Sequence, residues 1–65
     1  MIIISKHYSI DMSYIKYWRS SNGGKGTTLT FKDDKSVYIT CEFDVFNDQY
    51  RTAKIDNLKV YWLEY

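Results

Sequence analysis

The side chains able to do covalent or acid–base chemistry are few in this 65-residue chain, which has one Cys and one His. Cys41 falls between Ile39 and Phe43 on an apolar alternation, so it reads as a small buried hydrophobe and not as a nucleophile. His7 lies among polar and aromatic neighbours, with no thiol or carboxylate at a spacing that would make it a general base or a ligand. Glu42 and Glu64 are the only glutamates, and both fall at strand positions facing solvent. Asp33 and Asp34 are adjacent, but Lys32 and Lys35 flank them, and a hard cation asks for about six to eight oxygen ligands. The glycine-rich run Ser20 to Gly26, SSNGGKG, carries Lys25 and invites comparison with a phosphate cradle. Its spacing is wrong: a P-loop opens a helix with Gly-Lys-Ser/Thr, whereas GGKGTT here runs into a strand pattern. No set of residues meets the geometric requirements of catalysis, and the chain reads as a non-enzyme without metal or cofactor.

Recognition is the chemistry that remains. Two Trp, seven Tyr and three Phe make 18% of the chain, and they concentrate in two stretches, YIKYWR over 14–19 and LKVYWLEY over 58–65. As a strand, the first sends Ile15, Tyr17 and Arg19 one way and Tyr14, Lys16 and Trp18 the other. The second sends Leu58, Val60 and Trp62 to one face, and Lys59, Tyr61, Leu63 and Tyr65 to the other. Large rings on both faces of a strand imply that one face packs on the core while another element, a second subunit or a ligand covers the other. Interface hot spots are rich in Trp, Tyr and Arg. The expected partner-binding residues are therefore Tyr14, Lys16, Tyr17, Trp18, Arg19, Tyr61, Trp62 and Tyr65. The same interleaving of basic and aromatic residues would suit stacking of single-stranded bases, which is the alternative reading.

The elements that must hold these residues are mostly strands. TTLTFKDDKSVYITCEF, from Thr27 to Phe43, has the clearest pattern: Leu29 and Phe31 alternate with polar residues, and Val37, Ile39, Cys41 and Phe43 do so again after a turn at 32–35. A period of two on both sides of a turn is an antiparallel hairpin with one buried face. The apolar start of the chain and the residues after it, Met1 to Ile10, read as a first strand, and SSNGGKG as the loop closing a hairpin. Residues 43–55, FDVFNDQYRTAKI, admit two readings. Phe43, Phe46, Tyr50 and Ala53 make a helical stripe, but Val, Asn, Asp, Tyr and Thr are poor helix formers, which favours strand–turn–strand. Asp56-Asn57 is a turn before the last strand, Leu58 to Tyr65. The fold expected is mainly β, a small antiparallel sheet or barrel of five to six strands with at most a short helix. The alternative is α+β, with a helix over 44–53.

Length and charge set the outer bounds. A chain of this size makes one small domain and buries only roughly 60% of the surface its unfolded form exposes. A single Cys excludes an internal disulfide, which leaves oligomerisation as the reinforcement, and a homodimer is expected. Nine basic and eight acidic residues give a net charge of +1, disfavouring both a strongly basic nucleic-acid binder and an acidic mimic. The apolar run at Met1 to Ile4 is too short for a signal peptide or a membrane span, so a cytoplasmic protein with no membrane association is expected. An unpaired Cys suits a reducing compartment. The absence of Pro and the abundance of Ile, Lys and Tyr fit a gene written in A- and T-rich codons, as in phages and mobile elements of low-GC bacteria. The functional expectation is a small inhibitor that occludes a host protein in the host cytoplasm.

Overall fold

The computed structural model describes residues 1–65 as two three-stranded sheets and one helix. In chain order these are β1 (Ile2–Ile4), β2 (Ser9–Asp11), β3 (Ile15–Ser21), β4 (Gly26–Phe31), β5 (Ser36–Ile39), α1 (Phe43–Ile55) and β6 (Val60–Trp62). The strand orders are β2-β1-β6 and β3-β4-β5. The mainly β expectation with six strands is met, and all pairings but one are antiparallel. The exception is β6, which returns after the helix to lie parallel to β1, Ile2 opposite Val60 and Ile4 opposite Trp62.

The first ten residues form a hairpin where the sequence suggested one strand. Ser5 folds the chain back: its hydroxyl donates to the Tyr8 carbonyl and accepts from the Tyr8 N–H. A side chain that bonds local backbone competes with strand continuation, and here it leaves Lys6 and His7 in an exposed turn. Ile3 and Ile10 then face each other across the pair and are both almost fully buried.

In the second sheet the β4–β5 hairpin follows the expected alternation. Leu29 and Ile39 are buried, Val37 is half-buried, and Asp34 takes the left-handed conformation that the tight turn requires, with φ 71°. The β3–β4 register slips between Ile15 and Tyr17, a bulge that gives Lys16 no rung of its own. Ile15 is thereby turned to the same face as Trp18, opposite Phe31, while Tyr17 and Arg19 point away from the core.

Residues 43–55 form a helix, not the strand–turn–strand that propensity favoured. Packing overrides propensity here: Phe46 and Ala53 are fully buried, with Val45 and Tyr50 packed partly against the same core. Asp44 in the first turn suits the positive end of the helix dipole. At the other end Leu58 N–H bonds to the Ala53 carbonyl and Asn57 N–H to the Lys54 carbonyl, with Asn57 at φ 56°. That is the Schellman termination, in which an Asn in the left-handed region stops a helix and satisfies its last carbonyls. Both sheets and the helix contribute to one buried cluster: Ile3, Ile10, Met12, Ile15, Leu29, Ile39, Cys41, Phe46 and Leu63.

Candidate functional site

The helix settles what each ring of the YIKYWR strand does. Trp18 points under α1, where its ring meets Phe46 edge-on at 5.5 Å and Tyr50 at 5.1 Å. Its indole Nε1 donates to Asn47 Oδ1 at 2.8 Å. Both the body and the polar tip of the indole are therefore occupied within the molecule, and Trp18 joins helix to sheet. Tyr61 is engaged in a similar way, its hydroxyl bonding to Gln49 Oε1 from the inner side of β6.

Tyr17 and Arg19 have the opposite orientation. They stand on the outer face of the β3–β4–β5 sheet, where the rungs are Tyr17–Thr30–Ser36 and Arg19–Thr28–Tyr38. On this face Tyr17 and Tyr38 are 49% and 41% exposed, while Thr30 between Tyr17 and Ser36 is buried. Tyr38 was not among the residues singled out from sequence, though its position on the polar side of a strand already marked it as an exposed ring. Its ring lies against Gly26, where a Cβ would collide with it, so the ring rests on backbone and is still partly exposed. Strands about 4.8 Å apart put Arg19 and Tyr38 roughly 10 Å from each other, with only Thr28 between. Arg19 makes no ion pair; the pairs present are Lys16–Asp34 at 2.8 Å and Arg51–Asp48 at 3.8 Å. No carboxylate stands on these rungs, since Asp33 and Asp34 occupy the turn beyond them.

Lys16 holds Asp34 at the bulge, and the partnership raises the lysine's pKa and lowers that of the aspartate. Tyr14 is 62% exposed beside the same turn. Trp62, 72% exposed, belongs to the other sheet, and Tyr65 lines a small hollow with Tyr8, Tyr38 and His7. The eight residues therefore divide: Tyr17 and Arg19 share a face, Trp62 stands on another, and Trp18 and Tyr61 are half-buried and bonded to the helix.

Cys41 is fully buried, and burial raises its thiol pKa, with Glu42 adding to the effect. A thiol held in the protonated form is a poor nucleophile. No three of the His, Cys, Asp and Glu side chains gather into a group that could hold a metal ion. No helix is long and apolar enough to cross a membrane. No family model matches the chain, and no curated protein or solved structure was found to match it either.

Proposed function

We propose that this chain is a small non-enzymatic binding protein that occludes the surface of a partner protein through the outer face of β3–β4–β5. The observation that carries this reading is the open ladder with Tyr17, Tyr38 and an unpaired Arg19 on its rungs. Tyr and Arg lead the residue types of interface hot spots, because a ring or a planar guanidinium offers large contact area with few torsions to fix. Three hydrogen-bonded strands hold these groups in place before any partner arrives, which lowers the entropy lost on binding. The composition, without Pro and rich in Ile, Lys and Tyr, suits a phage or mobile-element product acting in the host cytoplasm on a host protein.

The test is capture with wild-type protein and with a Tyr17→Ser/Arg19→Ala double variant, each with and without nuclease. Both side chains point outward, so the variant keeps the wild-type circular dichroism spectrum. The expected result is a near-stoichiometric, nuclease-resistant protein whose affinity for the variant falls at least about tenfold, the loss a hot-spot pair produces. Equal binding of the partner to the variant would sink the assignment of this face. Recovery that vanishes with nuclease would replace the reading by single-stranded nucleic-acid binding. The feature favouring that second reading is the lack of any carboxylate on rungs that carry two stackable rings and a cation.

A further inference from the structure

We propose that β6 is a self-association edge, along which a second copy of this chain pairs antiparallel about a two-fold axis at Tyr61. The sheet order makes β6 an outer strand, bonded to β1 on one side and open on the other. Ile2 N–H donates to the Lys59 carbonyl and Leu63 N–H to the Ile4 carbonyl, so the odd-numbered residues of β6 address β1. By the alternation of a parallel ladder, the N–H and C=O groups of Val60 and Trp62 point to the open side.

Strand edges normally carry features that discourage pairing: bulges, charges or proline. β3 has the bulge at Lys16 with its ion pair, and β2 ends in Asp11. β6 is short, at three residues, but carries no bulge, charge or proline: it is Val60, Tyr61 and Trp62, with Val60 and Trp62 44% and 72% exposed. The second copy fits because the edge is complementary to itself. With Tyr61 on the axis, Val60 lies opposite the partner subunit's Trp62 and Trp62 opposite the partner subunit's Val60. Each of these is a pair whose outward backbone groups exchange both bonds. Ile4 already sits beside Trp62 and Ile2 beside Val60. Two apolar rows then run unbroken across four strands, each with Ile4 and Trp62 of one copy followed by Val60 and Ile2 of the other. Ser9 and Asp11 border the rows as a polar rim. The register sets no like charges face to face, since Lys59 meets the partner subunit's Leu63 and Glu64 meets the partner subunit's Leu58.

The contact is small against the roughly 800 Å² per partner of a standard interface, so the dimer is weak, with a dissociation constant on the order of 10 to 100 µM. Sedimentation and amide exchange are measured on the intact chain from about 10 µM to about 1 mM, the span that such a constant brackets. The expected result is a weight-average mass that rises with concentration from nearer the 7.8 kDa of one chain toward twice that value. Over the same span exchange at the Val60 and Trp62 amides slows roughly five-fold. Val60→Pro removes only an outward N–H, leaves the bonds to β1, and abolishes the dimer; Trp62→Lys does so by placing charge on the row. A monomer throughout would overturn the proposal. So would a dimer whose Trp62 amide exchanges at the same rate, or one that survives Val60→Pro. The double variant at Tyr17 and Arg19 leaves this edge intact, so failure of one assignment does not carry the other with it.

Discussion

Trp18 shows how far a single side chain can be read before its surroundings are known. Its type and its place in YIKYWR marked it as a partner-binding residue. The structure gives it two edge-on aromatic contacts and a hydrogen bond to Asn47, which makes it the fastening between β3 and α1. Trp18→Ala removes that packing and leaves the Asn47 amide without its partner. The expected cost is about 2 to 4 kcal/mol, set below the upper values for aromatic truncation because the indole is only half-buried. Urea denaturation of the variant checks this, and an unchanged midpoint would mean the indole contributes nothing to the fold. Trp18→Phe keeps the ring contacts but not the bond to Asn47, so it should fall between the variant and wild type. What sequence could not supply was the bulge at Lys16. Strict alternation puts Ile15 with Tyr17 and Arg19, and one unpaired residue moves Ile15 to the side of Trp18.

Among the elements, the β4 and β5 strands were legible outright and the helix only as the alternative reading, and the reason is the source of each signal. Alternation in β4 and β5 comes from local contact with one buried face, so Leu29, Val37 and Ile39 announce it in the sequence itself. The helix is held by contacts made at a distance, with Phe46 in the core and Tyr50 against Trp18, which a propensity scale does not weigh. Its N-terminus shows the same dependence. Glu42 occupies the cap position without any side-chain bond to the first-turn amides, so Asp44 is left as the one local signal at the start of the helix. Glu42→Ser supplies a hydroxyl that can accept from one of those N–H groups. We expect a gain of about 0.5 to 1 kcal/mol, seen as a higher midpoint in thermal unfolding, because the position is exposed and already has extended ψ of 144°. A lower midpoint would show that Glu42 stabilises the helix through its charge.

The molecule as a whole rests on a contact between its two ends. β1 and β6 form the parallel pairing, and its partners lie almost the full chain apart, so nothing in either segment identifies the other. The β2-β1-β6 sheet has three residues per strand, too little to persist alone, and it survives because Ile3, Ile10 and Leu63 join the cluster around Phe46. Both sheets should therefore be lost in one transition. The two tryptophans serve as separate reporters, Trp18 in the helix-covered sheet and Trp62 in the other. Their indole N–H signals, followed by NMR in urea, are expected to disappear at the same concentration. An earlier loss at Trp62 would mean that the terminal sheet opens independently. Phe46→Ala sharpens the comparison, since an aromatic truncation in a core costs about 3 to 5 kcal/mol. Marginal stability per residue gives a chain of this length roughly 3 to 10 kcal/mol in total. The variant would thus lose most of its stability, and because the cluster is shared, both indole signals should weaken together even though Phe46 touches only Trp18 of the two.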